Sequence, residues 1–261
     1  MNDPVHLRLT MAFLMLVVIT QAVFAALPGL DLAVSGLFAD GSTGFPWSHG
    51  PLSTVNLLLR RLGELTALAL VVWCIFGGLT GRLRGDALKA WTFAACVIVI
   101  ASGLIVSLLL KAHVGRARPA TIIEFGGEAH FTPAWQISDQ CVRNCSFTSG
   151  EVSLAASLAI VAVVLLWPRL NTAPRRVMAL ALASAYVGLI MLLRIGLGRH
   201  FLSDALFAVL FSGAVALALY PLLGVSKARL AFDPTVPVEL ALRQLRDTRA
   251  HARAWLNRLT W

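Results

Sequence analysis

Between two long apolar runs lies a polar island from Arg194 to Asp204, reading Arg-Ile-Gly-Leu-Gly-Arg-His-Phe-Leu-Ser-Asp. If a helix begins at His200, then His200 and Asp204, four apart, share one face. The carboxylate can then hold one imidazole nitrogen and leave the other presented. Such a pair is the minimum equipment of a nucleophilic histidine. Taken alone, the island reads equally well as an interfacial loop whose cations meet lipid headgroups.

Two further segments carry polar groups at the ends of apolar runs. The first runs from Lys111 to Pro119, a lysine, then six residues, then Arg118-Pro119, with Arg116 among the six. A lysine closing an apolar run is commonly a snorkelling anchor. Grouped with Arg116 and Arg118 it suggests instead a site for a multiply charged anion, because a guanidinium fork matches phosphate geometry. Pro119 stops a helix there and fixes the turn that aims Arg118. The second segment is Ser149-Gly150-Glu151 ahead of another apolar run. It reads as a helix cap, or as an anion cradle built from Ser149 and the free first-turn N-H of Gly150. No His/Cys pattern has metal spacing, so no metal or other cofactor is expected, and His49 and Glu64 read as a loop histidine and a helix-end carboxylate.

The elements that must position these residues are apolar. Of 261 residues, 58% are hydrophobic and 13% charged, with a mean hydropathy of +0.78, which marks an all-α integral membrane protein. Six runs are long enough to cross the bilayer: residues 9–27, 62–79, 91–110, 150–167, 177–193 and 203–223. The first has an apolar stretch long for a signal peptide and is taken as a retained span. With both termini cytoplasmic, fourteen of the 22 lysines and arginines fall inside, as the positive-inside rule requires. Lys111, Arg118, Ser149, Arg194, His200 and Asp204 then all emerge on the opposite, external face. The formal charge of +9 belongs to short loops and a tail flanking spans, so anionic lipid explains it and a nucleic-acid partner is not expected.

Residues 1–225 read as a six-span core and 226–261 as a basic tail, amphipathic from Val238 onward. The loop from Pro28 to Arg61 carries no catalytic constellation. In the long loop 120–145, Cys141 and Cys145 are a candidate disulfide that would stiffen the approach to Ser149, two free thiols being the alternative. Cys74 and Cys96 lie in spans and read as packers.

Together, the three segments resemble the signature of the type 2 phosphatidic acid phosphatase family, which includes membrane lipid phosphatases and vanadium haloperoxidases. Lys111, Arg118 and Pro119 match its first motif, and Arg194, His200 and Asp204 its third, with Leu193 where a serine usually stands. The middle motif, usually Pro-Ser-Gly-His, departs to Thr148-Ser149-Gly150-Glu151. The resemblance implies metal-free phosphoryl transfer, with His200 attacking phosphorus and Asp204 fixing its tautomer. Lys111, Arg118, Ser149, Gly150 and Arg194 would hold the equatorial oxygens. Glu151 then serves as the proton donor in place of histidine, or the leaving group needs little help, or Glu151 is a helix cap in an inactive relative. The implied substrate is a phosphorylated membrane lipid of the lipid A, undecaprenyl diphosphate or phosphatidylglycerophosphate type, dephosphorylated at the periplasmic face of a bacterial inner membrane. A lipid-to-lipid phosphotransferase and a non-catalytic binder or transporter of anionic lipid are the alternatives. Oligomeric state is not legible.

Overall fold

The computed structural model describes residues 4–41, 44–134 and 136–240, with 242, 246, 249 and 255 beyond them. Six helices are long and apolar enough to cross a membrane: α1 (Pro4–Ala26), α3 (Pro51–Leu79), α4 (Gly85–His113), α5 (Gly150–Leu166), α6 (Ala173–Gly196) and α7 (Leu202–Leu222). A short α2 (Gly29–Gly36) lies between the first two, and α8 (Val225–Ala228) follows the last. Among the described residues no strand forms, only isolated bridges.

The spans begin where local chemistry dictates. Pro51 opens α3 behind Gly50, and Pro174 sits in the first turn of α6, where a missing N-H costs nothing. Ser149 caps α5, its hydroxyl oxygen accepting from Val152 N at 3.4 Å. Asp204 caps α7, an oxygen accepting from Phe201 N at 2.8 Å. The second span starts eleven residues before the expected position 62, because Arg60, Arg61 and Glu64 interrupt the apolar run without interrupting the helix. Glu64 therefore lies within α3 and not at its end. Residues Ile98–Leu110 of α4 are wound as a π-helix, a form frequent at functional sites.

Small residues bring α5, α6 and α7 together, as expected where lipid supplies no hydrophobic drive between helices. Val152, Ala155, Ile190, Ala205 and Ala208 form one buried cluster. Ser153 and Ser157 bond the Ser212 hydroxyl at 3.0 and 3.2 Å. Toward the opposite end, Trp91, Phe93, Val97 and Leu165 pack with Val225, Ala228 and Phe232. The expected boundary at 225 thus falls inside a packed stretch, and Phe232 lies 4.9 Å from Trp91. The expected amphipathic tail from Val238 falls almost wholly outside the described residues.

Because successive spans alternate in direction, the C-terminal ends of α4 and α6 and the N-terminal ends of α5 and α7 meet at one end of the bundle. Lys111, Arg194, Gly150 and Asp204 occupy those four ends.

Candidate active site

His200 stands in the turn between α6 and α7 with no solvent exposure. Its Nδ1 lies 2.7 Å from the Ser146 carbonyl oxygen. A carbonyl only accepts, so Nδ1 carries the proton and Nε2 keeps a lone pair. That Nε2 is buried without a protein partner. Burial, aided by the charges of Arg194 and Lys111 and opposed by Asp204, holds the imidazole down at about 4. At neutral pH the ring is uncharged and its free nitrogen is nucleophilic.

Asp204 does not hold the imidazole directly as expected from the four-residue spacing. Its nearest oxygen is 3.8 Å from Nδ1, too long for a hydrogen bond. The Phe201 amide takes Oδ2 at 2.8 Å, and the same oxygen accepts from Ser146 Oγ at 2.5 Å. Ser146 is the bridge: its hydroxyl binds the carboxylate while its carbonyl binds the ring.

Behind Asp204 lies a buried ionic chain that the sequence concealed. Arg116, grouped above with the external cations, is fully buried. It donates to Asp204 Oδ1 at 2.7 Å, to Asp31 Oδ2 at 2.8 Å, to Ser203 Oγ at 2.8 Å and to Thr132 O at 2.8 Å. Its guanidinium also lies 4.2 Å from the Phe201 ring centroid. Such a charge persists in a dry interior only when it is paired and hydrogen-bonded. Asp31, from α2, completes it, accepting also from Ser203 N at 2.8 Å and Ser203 Oγ at 2.5 Å. Burial raises the Asp31 carboxyl and Arg116 lowers it.

The other expected residues face a cavity of about 730 Å³ lined by Lys111, Arg118, Gly150, Glu151 and Arg194. Lys111 Nζ would lie 3.6 Å from a Cβ placed on Gly150, so the ammonium covers the start of α5. Arg118 donates through Nε and Nη2 to the Asn144 carbonyl, at 3.1 and 2.8 Å. Burial, with Arg199 nearby, lowers its guanidinium. Arg194 is buried with its Nε unpartnered. Ser149 is fully buried beside them as the α5 cap. Glu151 Oε1 is 3.4 Å from Arg194 Nη2 and 3.6 Å from Arg60 Nη1, and Oε2 is 3.9 Å from His200 Nε2.

Cys141 and Cys145 are joined by a disulfide. The ring they close contains Asn144, whose carbonyl grips Arg118, and it abuts Ser146, whose carbonyl grips His200. One short loop therefore aims both the cation and the imidazole. No group of His, Cys, Asp and Glu suited to a metal is found among the described residues.

A model of the PAP2 superfamily matches residues 91–227, just over half of the chain. The chain belongs to the PAP2 superfamily. Its relatives include proteins described as lipid A 4'-phosphatase. One, from Rhizobium leguminosarum, is 32% identical over 77% of this chain and 90% of its own length. Another, from Rhizobium etli, is 33% identical over 77% and 82%. A third, from Francisella tularensis subsp. novicida, is 28% identical over 72% and 83%. A solved structure of a transmembrane PAP2-type phosphatidylglycerolphosphate phosphatase from Bacillus subtilis aligns with a TM-score of 0.45 and 25% identity, covering 84% of this chain and 94% of that one. This PAP2 protein is a multi-pass membrane phosphatase. Asp31 and Arg60 lie outside the matched residues, and both carry charge in a region that had shown no constellation. The only signal available for either was the charge itself.

Proposed function

We propose that this PAP2 protein dephosphorylates a lipid A-type phosphoglycolipid at the outer face of a bacterial inner membrane, through a phosphohistidine on His200. Both termini lie in the cytoplasm on this reading, which the lysine and arginine distribution supports. The observation that carries the chemistry is the unpartnered His200 Nε2, its tautomer set by Ser146, 3.9 Å from the carboxyl of Glu151, which lines one cavity with Lys111, Arg118 and Arg194. The lipid A relatives support the substrate class.

In the first step Nε2 attacks phosphorus, a P–N bond forms and the ester P–O bond breaks. The three cations and the Gly150 N-H hold the equatorial oxygens, where charge persists in the transition state. The ring becomes cationic as it is phosphorylated. The carboxylate of Asp204, 3.8 Å away, stabilises that charge. Glu151, ionised at rest against Arg194 and Arg60, takes the proton of the bound phosphate monoanion and passes it to the leaving alkoxide, then takes one from the water that cleaves the P–N bond and returns it to the departing inorganic phosphate. In-line attack puts the leaving oxygen on the far side of phosphorus from Nε2, so the carboxyl must rotate away from its resting place beside the ring.

Purified protein in nanodiscs should release phosphate from lipid A, and His200→Ala should release none. Brief incubation with radiolabelled lipid and alkaline quench should trap label on the parent protein alone. Phosphate release that survives His200→Ala would overturn the assignment, and label appearing in a second lipid instead of free phosphate would convert it to a transferase.

A further inference from the structure

The cavity is far larger than a phosphate, and one of its walls belongs to α3, which carries none of the catalytic groups. Ser53, Asn56, Arg60 and Glu64 line it from one face of that helix, at the three- and four-residue spacing that keeps side chains on one side. With 29 residues, α3 is about 43 Å long, roughly 13 Å more than the hydrocarbon layer. Its first turns therefore stand at headgroup level, beside Lys111 and Arg118, while Gly63 and Ala67 carry the same wall into the apolar layer.

The charges on this wall are already balanced. Glu64 takes Arg60 Nε at 2.8 Å and Arg61 Nη1 at 2.9 Å, and Glu151 stands 3.6 Å from Arg60 Nη1. A second anion would find no surplus positive charge there. Neutral hydrogen-bonding groups remain. The Asn56 amide and the Tyr186 hydroxyl line the cavity with no hydrogen-bond partner among the described residues. Ser102 and Ser107 donate to the Gly150 and Ser102 carbonyls at 3.3 and 2.7 Å, which leaves their oxygens free to accept. Polar groups are costly beside lipid unless something uses them. Donors and acceptors interspersed without net charge suit a ligand rich in hydroxyl and amide groups.

We infer that the α3 wall, through Asn56 and Arg60 with Tyr186 opposite, is a sugar subsite that binds the amino-sugar ring bearing the scissile phosphate. The inference rests on the phosphatase reading and adds what selects among phospholipids: a glycerol or prenyl headgroup would leave the Asn56 amide and the Tyr186 hydroxyl unmet, which costs affinity. The α3 side of this subsite lies outside the residues 91–227 that the superfamily model matches, whereas Tyr186 lies within them.

The test compares lipid A with phosphatidic acid in nanodiscs. Asn56→Leu and Arg60→Met should each lower the ratio of the two kcat/KM values about tenfold, the scale of one or two lost hydrogen bonds. An unchanged ratio, with both substrates falling together or neither, overturns the subsite. Thermal unfolding of the parent with an amino-sugar phosphate or glycerol phosphate gives a second readout that needs no turnover. The sugar phosphate should raise the Tm further, and Asn56→Leu should erase the difference, whereas equal shifts in the parent sink the inference. If the parent hydrolyses neither lipid yet the sugar-selective shift is present, the phosphatase reading fails and the subsite stands.

Discussion

Arg116 and Arg118 are two residues apart on one loop and do opposite work. Arg116 is fully buried and each of its three guanidinium nitrogens has a partner, among Asp31, Asp204, Ser203 and Thr132. Arg118 faces the cavity and, among the described residues, is gripped only by a backbone carbonyl, so its charge is open to a ligand. A guanidinium neutralised by carboxylates holds structure, and one held by a neutral acceptor keeps its field for an anion. The positive-φ Gly115, at +66°, turns the chain just before the pair, and alternation then sends one side chain inward and the other out.

This contrast is breakable by experiment, beginning with the largest effect. Arg116→Met should strand Asp31 and Asp204 as buried carboxylates and cost ~3–5 kcal/mol, seen as a large fall in unfolding temperature. Arg118→Ala should leave that temperature in place while kcat drops ~10²- to 10³-fold. If instead Arg118→Ala unfolds the protein and Arg116→Met merely slows it, the division of labour is wrong. Asp31→Asn keeps the shape and removes one charge, for a smaller loss of ~1–3 kcal/mol. In a double-mutant cycle it should couple to Arg116→Met by more than ~0.5 kcal/mol and be additive with Arg118→Ala.

The pH profile sharpens the same comparison. His200 is held at about 4 in the fold, below its unfolded value of about 6.5. The stabilisation from keeping it neutral is therefore complete above pH 6.5 and is lost as pH falls toward 4. The acid limb of kcat/KM should lie near pH 4, and a limb near 6.5 would mean that the imidazole is not in this environment. Removing the Asn144 clamp is the mildest perturbation. Cys141→Ser with Cys145→Ser should lower kcat about tenfold through misaimed Arg118, since one charge-assisted contact is loosened rather than deleted.

Much of this was readable beforehand because charge is rare in an apolar chain. Lys111, Arg194 and His200 interrupt runs that are otherwise uniform, and counting crossings brought them to one end of the bundle. What escaped was partnership. Asp31 meets Arg116 from 85 residues away, and nothing in either local stretch declares it, so Arg116 looked like another surface cation. Arg60 is hidden because a helix continues through charges that a hydropathy window treats as a boundary. Asp204 lies near His200 as the four-residue spacing suggests, but helix capping competes for its oxygen and Ser146 takes over its contact with the ring. The preference of backbone amides for a nearby carboxylate was stronger than the four-residue pairing rule.

At rest the anion pocket is already tenanted, because the Glu151 carboxyl lies against Arg194 and reaches to within 3.9 Å of the attacking nitrogen. Any free oxyanion arriving from the surrounding fluid must evict this tethered rival before it can bind. A lipid can draw on its sugar and its tails to do so, whereas dissolved orthophosphate has nothing else to hold, so the arrangement protects turnover from choking on its own by-product.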